Sequence, residues 1–417
     1  MISSSSFILA CCASLAMGTP GIINAPVKKL SHSGIGNIHM PNLNIEKRGT
    51  SNRPGFLDAI SNQRYYYLTE VDIGTPAQKL DLLLDTGSSD TWVFTANTKV
   101  RGNSGQTSSF DQSHSSTFKS NNTQWDIQYG KGDASGTWGT DKFKIGTATL
   151  KHLSIGLADS VNSISQGLVG IGRPQAEITF SKTGEYLNLP LEMKAEGLIN
   201  SAAYSLALDD IDDSQGNIIF GGVDHDQYDG NLVEMPIVHP KHMGVNVQGI
   251  RADQRATYQL LSKPQVAILD SGTSLTYVDG DTLGSLRTAL NSNPSFALGE
   301  RYYTDCNITT DLHIDFGNIN IPVPSYNWMW PIDMFVDGVT ASLDFPQNSC
   351  YIGIEQASSD ENFLLFGDNL LRAMYVVYDI TDNRIAIARS KASSGKPNVE
   401  AIEPGKPIPG ATDPNQG

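Results

Sequence analysis

Two short segments of the sequence could bring a pair of carboxyl groups together. Each has an aspartate, a hydroxyl residue, a glycine and a second hydroxyl residue, in that order: Asp85, Thr86, Gly87 and Ser88 in the first, and Asp270, Ser271, Gly272 and Thr273 in the second. Two carboxyl groups about 3 Å apart do not readily ionise together, so they share one proton, mainly at acidic pH. The ionised group could act as a general base on a water molecule, while the protonated group donates to a carbonyl oxygen.

The other residues of the two segments indicate how the carboxyl groups would be held. A glycine lets the backbone take unusual angles and approach another chain closely, which suits a tight loop. We expect the hydroxyls of Thr86 and Ser271 to tie the two loops together. We expect those of Ser88 and Thr273 to hydrogen-bond the carboxylates and fix their orientation. A single Asp-Thr-Gly triplet is also typical of an ordinary turn or helix cap.

The two segments belong to a longer internal repeat. Residues 85–93 match residues 270–278, and each copy follows an apolar run that is typical of a strand. Two hydrophobic residues and a glycine recur after each copy, at 168–170 and 365–367, which fits a strand that passes close beneath another backbone. The repeat therefore predicts two related lobes that each supply one aspartate, with a boundary near residues 231–236.

The elements that must position these segments are predicted to be strands. The segment 65–85 is rich in aromatic and apolar residues around a Gly-Thr-Pro turn, and similar runs continue for most of the chain. The 39 glycines and 20 prolines favour many short strands over long helices. Helical periodicity is brief, as at 282–290. The fold class is therefore predicted to be all-β, with two related lobes and a central cleft.

Composition and charge exclude some classes of partner. The chain has 417 residues, of which 39% are hydrophobic, and a net charge of −15. An acidic chain lacks the basic surface that binds nucleic acid or an anionic membrane. No apolar run is long enough to span a bilayer, and no hydrophobic C-terminus predicts a lipid anchor. We therefore expect no nucleic-acid partner and no membrane anchor.

The N-terminal residues are predicted to direct export and processing. An apolar core within residues 1–20 is typical of a signal peptide, although no Lys or Arg precedes it. The alternative is a buried strand or a tethered N-terminus. Residues 21–48 are interpreted as a pro-peptide that ends at a processing pair, Lys47 and Arg48. Residues 1–48 carry +3 and the remaining residues −18, so charge could hold the pro-peptide on the body until acid loosens it.

The rest of the chain is divided by the repeat and by composition. Residues 49–232 are predicted to form the N-terminal lobe and residues 233–390 the C-terminal lobe. Residues 391–417 are rich in Pro, Gly, Ser and Lys and are predicted to be a flexible tail. The eight histidines show no zinc-ligand spacing, and His239 and His242 are interpreted as loop residues. We expect no metal and no cofactor.

Two cysteines and two asparagines fit an exported protein. Cys11 and Cys12 lie in the predicted signal peptide, which leaves Cys306 and Cys350 as a pair, and a disulfide is favoured over two buried thiols. Asn121 and Asn307 each begin an N-glycosylation triplet.

Nearly all of the mature part resembles the pepsin-like aspartic proteases of the secreted, fungal type. The resemblance implies two β lobes, one catalytic aspartate from each, protein or peptide substrates, inhibition by the chain's own pro-peptide, and a monomer. It also implies that a β-hairpin flap at 125–133 closes over the substrate. The flap and substrate-binding residues implied are Tyr129, Gly130, Lys131, Gly132, Trp92, whose indole would meet the Tyr129 hydroxyl, and Leu168, in the wall that binds the residue before the cleaved bond. For Tyr129 and Trp92 the alternative is plain strand packing.

The sequence departs from that family in two places. The first lobe has no disulfide, because no cysteine lies between Cys12 and Cys306. Lys131 stands at the flap tip where small or acidic residues are usual, and it could favour an acidic or neutral side chain before the scissile bond. The alternative is a lysine directed toward water.

A different class of function shares the same fold. A pepsin-like protein can bind a ligand or inhibit without cutting, usually after losing one aspartate or the flap tyrosine. This chain retains Asp85, Asp270 and Tyr129. A secreted aspartic endopeptidase is therefore the predicted function.

Overall fold

The structure, a computed structural model, describes residues 21–412 apart from 32–64, 103–107, 131, 181, 183, 209–214, 254–256, 296–300, 309, 333–345, 347, 359–361 and 395. Strands dominate the described residues, as the sequence predicts. Lys47, Arg48, Lys131 and the predicted signal peptide lie outside the described residues.

In the described part of the first lobe there are eight strands: β1 (Ile23–Ser31), β2 (Tyr65–Ile73), β3 (Gln78–Asp85), β4 (Thr91–Arg101), β5 (Lys119–Tyr129), β6 (Gly132–Ile145), β7 (Ala148–Asn162) and β8 (Leu168–Gly170). Two short 3₁₀ turns, Gln112–His114 and Pro174–Ala176, lie in the connections. The chain then passes toward the second lobe through α1 (Leu189–Ala195), β9 (Ala203–Ala207), β10 (Gln215–Phe220), β11 (Gly222–Asp224) and β12 (Tyr228–Pro236).

Among the residues that the structure describes, the second lobe has shorter strands and three helices. The strands are β13 (Gly244–Val247), β14 (Gly249–Asp253), β15 (Thr257–Gln259), β16 (Gln265–Leu269), β17 (Thr276–Val278), β18 (Asn293–Ser295), β19 (Arg301–Asp305), β20 (Asp311–Asp315), β21 (Asn320–Val323), β22 (Met329–Pro331), β23 (Ser349–Ile352), β24 (Ile354–Gln356) and β25 (Leu364–Phe366). The helices are α2 (Gly280–Leu290), α3 (Ser325–Trp328) and α4 (Asp368–Leu371). The helical piece predicted at 282–290 is confirmed by α2. Four strands close the chain: β26 (Met374–Asp379), β27 (Arg384–Ser390), β28 (Val399–Ala401) and β29 (Ala411–Thr412).

One continuous sheet joins the two halves of the chain. It contains fourteen strands in the order β29-β12-β27-β26-β9-β10-β1-β2-β3-β8-β4-β7-β6-β5. Strands β26 and β27, from the end of the chain, pair with β9 and β12, which precede the second lobe. The boundary expected near residues 231–236 falls within β12. Smaller sheets complete the second lobe: β13-β16-β25-β17-β24, β15-β14-β20-β21 and β18-β19-β23-β22.

The internal repeat corresponds to the same strand arrangement in each lobe. In the first lobe β3 runs parallel to β8, with Asp85 opposite Gly170. In the second lobe β16 runs parallel to β25, with Leu269 opposite Phe366. A short hydrophobic strand that ends at or just before a glycine therefore lies beside each strand that leads into an aspartate. The bilobal all-β fold predicted from the repeat is confirmed.

The segment after Ser390 corrects an expectation. A flexible tail was predicted from its Pro, Gly, Ser and Lys content, but in the structure β28 pairs with β11 and β29 pairs with β12. The side chains of Ile402 and Ile408 are 0% and 1% exposed in a cluster with Leu232 and Tyr375. The average composition of the segment does not reveal these two isoleucines. Burial of each side chain contributes about 2 kcal/mol to the free energy of folding, relative to leaving it in water. Residues 413–417 lie outside the described part.

The first described segment is also part of the sheet. Strand β1 lies between β10 and β2 and is antiparallel to both. Its side chains alternate, with Ile23, Ala25 and Val27 buried and Asn24 and Lys28 exposed. The N-terminal part of the predicted pro-peptide thus occupies a central position between strands of the body.

Candidate active site

The strand arrangement brings the two aspartates to the same place. Asp85 is the last residue of β3, and Asp270 follows the last residue of β16. Both side chains are buried, with 5% and 7% of their surface exposed. Their carboxyl groups are hydrogen-bonding neighbours. Residues that are 185 positions apart in the sequence therefore form one buried pair.

The two aspartate-bearing loops are tied by a symmetrical set of hydrogen bonds. The Thr86 N–H donates to Ser271 Oγ (3.2 Å), and the Ser271 N–H donates to Thr86 Oγ1 (2.9 Å). Each hydroxyl then donates across to the other lobe, Thr86 Oγ1 to the Leu269 carbonyl and Ser271 Oγ to the Leu84 carbonyl, both at 2.8 Å. Because each hydroxyl both accepts and donates, both buried groups are satisfied. The loops are connected in the way the sequence predicts.

Each carboxyl group receives donors from its own loop. Asp85 Oδ1 accepts from the N–H groups of Gly87 (2.8 Å) and Ser88 (3.2 Å), and the Ser88 hydroxyl donates to Asp85 Oδ2. Asp270 Oδ1 accepts from the Gly272 N–H at 2.8 Å. Asp270 Oδ2 accepts from Thr273 Oγ1 at 2.7 Å. In both aspartates Oδ1 accepts from backbone N–H groups, and Oδ2 accepts from a side-chain hydroxyl.

Burial and mutual repulsion keep a proton on the pair. Burial raises the pKa of Asp85 far above its usual range, and the negative charge of Asp270 raises it further. The hydrogen bonds from Ser88 and Gly87 lower this pKa but do not offset the increase. The geometry thus favours a state in which the two carboxyl groups together hold one proton.

The glycine of each loop is required by the close approach of the opposite aspartate. A Cβ atom added to Gly87 would lie 2.5 Å from the Asp270 Cγ. A Cβ atom added to Gly272 would lie 2.4 Å from Asp85 Oδ1. Both distances are shorter than any ordinary contact, so a side chain at either position would push the carboxyl groups apart.

Comparison with known protein families identifies the family to which the chain belongs. A sequence model of the eukaryotic aspartyl protease family matches residues 66–390, which include both loops. The chain belongs to this family.

Individual relatives of this protease agree with that assignment. The aspartic proteinase yapsin-3 of Saccharomyces cerevisiae is 35% identical over 82% of this chain and 70% of its own length. Secreted aspartic protease 9 of Candida albicans is 36% identical over 70% of this chain and 54% of its own length. A crystal structure of an aspartic proteinase from Irpex lacteus matches the fold with a TM-score of 0.67, 20% identity, and coverage of 91% of this chain and 100% of that one.

The protease is therefore an aspartic-type endopeptidase, a hydrolase that acts on proteins or peptides. The alternative of a binding or inhibitor protein without activity is not favoured, because the named relatives are proteinases. Within the described residues, no group of three or more potential ligands could hold a metal ion. None of the helices described is long and apolar enough to cross a membrane.

The predicted flap hairpin is formed by β5 and β6 of the protease. Tyr129 ends β5 and pairs with Gly132 at the start of β6, with Gly130 in the turn. The Trp92 Nε1–H donates to the Tyr129 hydroxyl at 2.9 Å, as the resemblance implies. A Cβ atom on Gly132 would lie 2.2 Å from the Asn162 carbonyl oxygen, so this end of the hairpin packs closely on β7.

Tyr129, the predicted flap tyrosine, is influenced by the charge of Asp85. Burial raises the pKa of Tyr129 well above its usual value, and the charge of Asp85 raises it further, while hydrogen bonds with Trp92 and Ser88 act in the opposite direction. Trp92 is fully buried beside Leu168, which lies opposite it in the β4–β8 pairing. Leu168 and Trp92 therefore belong to one apolar cluster, and Tyr129 packs against it.

The remaining predicted residues lie away from the pair. Cys306 and Cys350 form a disulfide at the pairing of β19 and β23, which confirms that prediction. Asn121 and Asn307 are exposed, as an N-glycan acceptor must be.

Two residues near the site were not identified from the sequence. His242, interpreted only as a loop residue, directs its Nδ1 to the Gly87 carbonyl at 2.9 Å. Asp90 is buried and accepts from the Tyr186 hydroxyl at 2.9 Å. The sequence holds a signal for Asp90, because the repeat aligns it with the apolar Leu275. For His242 the sequence holds no signal, since its partner is 155 positions away.

Proposed function

We propose that Asp85 and Asp270 are the catalytic dyad of this protease and that it cleaves peptide bonds in proteins at acidic pH. The observation that carries the proposal is the reciprocal pair of hydrogen bonds between Thr86 and Ser271, which holds two buried carboxyl groups against each other. A structural turn would not need two buried carboxyl groups in contact, because burying like charges together is unfavourable.

The chemistry follows from one shared proton. The ionised carboxylate takes a proton from a water molecule between the two groups, and the water oxygen forms a bond to the scissile carbonyl carbon. The protonated carboxyl group gives its proton to the carbonyl oxygen, which becomes a hydroxyl of the tetrahedral intermediate. The dyad then gives its proton to the amide nitrogen. As the C–N bond breaks, one hydroxyl of the intermediate returns a proton to the dyad, and a carboxylic acid and an amine leave. The dyad again holds one proton.

The flap and the apolar cluster of Leu168 and Trp92 are proposed to bind the substrate. Tyr129, Gly130, Lys131 and Gly132 would cover the peptide, and Leu168 would contact the side chain before the cleaved bond. Trp92 supports this arrangement because its indole N–H donates to the Tyr129 hydroxyl, which is close enough to Asp85 for that charge to raise its pKa. We propose no cofactor and a monomeric enzyme.

We also propose that the protease is exported and made as a precursor. The relative from Candida albicans is named as secreted, which supports an exported or cell-surface protein.

Cleavage after Lys47 and Arg48 would separate residues 21–48 from the body. Lys28 pairs with Glu70 at 3.1 Å, but the two side chains are 49% and 38% exposed to water, so burial of Ile23 and Val27 holds β1 more strongly than charge. If acidic pH did not accelerate maturation, that result would contradict release of the pro-peptide through loss of charge attraction.

The decisive experiment is cleavage of a denatured protein at pH 3 to 6 by wild-type enzyme and Asp270→Asn. We expect the variant to lose activity by at least about a thousandfold. The amide that replaces the Asp270 carboxyl group can act neither as a general base nor as a general acid. Equal activity of the two proteins would end the dyad assignment. Sequencing the released peptides would give the cleavage specificity and test the role of Lys131.

A further inference from the structure

A loop of the second lobe contacts the catalytic loop of the first. It comprises residues 237–243, between β12 and β13, and we call it the histidine loop. His242 on this loop has its Nδ1 2.9 Å from the Gly87 carbonyl oxygen. A carbonyl oxygen only accepts, so Nδ1 carries the hydrogen in this contact. The neutral Nδ1–H tautomer and the imidazolium both supply that hydrogen, so the contact persists across the acidic range.

The histidine loop is folded so that it presents His242. The ring Nδ1 of His239 accepts from the backbone N–H groups of His242 (3.0 Å) and Lys241 (3.2 Å), which closes the turn. Burial, together with the nearby His242, Arg173 and Lys241, lowers the pKa of His239 to about 4. A neutral His239 keeps the bare nitrogen that these two N–H groups require.

The first lobe also holds the histidine loop at a second point. Arg173 Nη1 donates to the His239 carbonyl at 2.8 Å. The Arg173 carbonyl accepts from Ser89 Oγ at 2.6 Å, and the neighbouring Gly172 N–H donates to the Ser88 carbonyl at 2.8 Å. A closed ring of contacts thus runs from the catalytic loop through Arg173 and the histidine loop back to Gly87.

The target of His242 is one particular peptide unit. The carbonyl of Gly87 and the N–H of Ser88 belong to the same peptide group, and that N–H donates to Asp85 Oδ1 at 3.2 Å. A donor at one end of a peptide group fixes its orientation and polarises the N–H at the other end. His242 therefore acts on Asp85 through the peptide between Gly87 and Ser88.

We propose that His242 is a positioning residue of the dyad, whose Nδ1–H fixes and polarises the Gly87–Ser88 peptide group that donates to Asp85. The inference rests on the proposed function of Asp85 and Asp270. It assigns to the second lobe a contribution to the first-lobe carboxylate, in addition to Asp270 itself and the reciprocal bonds of Thr86 and Ser271.

Two substitutions separate the hydrogen bond from the bulk of the ring. In His242→Asn the side-chain amide can place its nitrogen where Nδ1 lies, whereas His242→Leu fills similar space without a donor. We measure kcat and KM for one peptide substrate at a fixed acidic pH, and the melting temperature of each protein. We expect His242→Leu to lower kcat about tenfold with KM changed less than about twofold, as for loss of one hydrogen bond that matters more in the transition state. We expect His242→Asn to recover kcat to within about threefold of wild type.

A matched control and the dyad variant make the outcomes distinguishable. His313 on β20 contacts Asn320 and Asp253, and His313→Leu is expected to leave kcat unchanged within about twofold. Unchanged kcat in His242→Leu, an effect confined to KM, or failure of His242→Asn to recover kcat would overturn the proposal for His242. If Asp270→Asn kept full activity, the assignment of Asp85 and Asp270 as the dyad would be wrong, whatever the result for His242.

Discussion

At the scale of single residues, the chemistry of this protease depends on how closely two loops approach. Asp85 and Asp270 are common residues that interact as a carboxyl pair only because each is buried against the other. The raised pKa of Asp85 keeps a proton on the pair where an exposed aspartate would have lost it. The hydroxyl and backbone donors of both loops then determine where the remaining negative charge lies.

The glycines at this approach provide a residue-scale prediction. Gly272→Ala would place a Cβ atom 2.4 Å from Asp85 Oδ1, so the two carboxyl groups must separate. We expect kcat/KM to fall at least about a hundredfold, because a displacement of about 1 Å has that effect on a preorganised site. The measurement is hydrolysis of a peptide substrate at acidic pH.

Gly284 in α2 is the matched control for that substitution. A Cβ atom at Gly284 would have no heavy atom within 4 Å, and the residue lies inside the helix. Gly284→Ala should therefore keep activity and stabilise the fold by up to about 1 kcal/mol, the helix-propensity difference. Full activity of Gly272→Ala would show that the loops can move apart without loss of function.

At the scale of elements, the two ends of the described chain are both built into sheets. Strand β1 enters between β2 and β10, and β28 and β29 attach to β11 and β12. The terminal elements therefore stabilise the same region, where the two lobes join. Short strands of two or three residues do not hold by backbone pairing alone, so apolar anchors must contribute.

The anchor Ile408 gives the element-scale prediction. Its side chain is 1% exposed beside Leu232 and Tyr375. Ile408→Ala should lower the free energy of unfolding by about 2 to 5 kcal/mol, because the buried methyl groups leave a cavity. Denaturant unfolding would be measured in the Asp270→Asn background, which prevents self-digestion. The exposed Lys396→Ala is the control, and equal stability of the two variants would mean that the C-terminal segment detaches at little cost.

At the scale of the whole molecule, buried carboxyl groups make stability depend on pH. Burial raises the pKa of Asp90 to about 6 and that of Glu177 to about 8. Glu177 accepts the Tyr186 N–H with one oxygen, and its other oxygen is buried with no hydrogen-bond partner among the described residues. Both groups bind protons more tightly in the folded protein than in the unfolded chain.

The direction of the pH effect follows from proton linkage. A carboxyl group with a raised pKa contributes to stability below its unfolded pKa, about 4, and that contribution is lost as pH rises through the folded pKa. We therefore expect the melting temperature to fall between pH 5 and pH 8. Glu177→Gln, which keeps an acceptor for the Tyr186 N–H, should reduce the fall. A melting temperature that rises over this range would contradict the explanation.

Local patterns carried most of the prediction of the site. The repeat of an aspartate, two hydroxyl positions and a glycine predicted the loops, because the hydrogen bonds that orient each carboxyl group come from residues within three positions of it. The contact of Trp92 with Tyr129 was predicted only through resemblance. The contacts of His242 and Arg173 were not predicted, since they join distant loops through backbone carbonyls that any residue could supply.

The sequence by itself determined the all-β bilobal fold, the two aspartate loops and the cysteine pair, because each depends on residue type and repetition along the chain. Only the tertiary structure decided that the two carboxyl groups touch and that the C-terminal segment is anchored by two isoleucines. It also decided that a histidine of one lobe hydrogen-bonds the Asp85 loop of the other. Burial and long-range hydrogen bonds set these features, and both depend on which surfaces meet after the chain has folded.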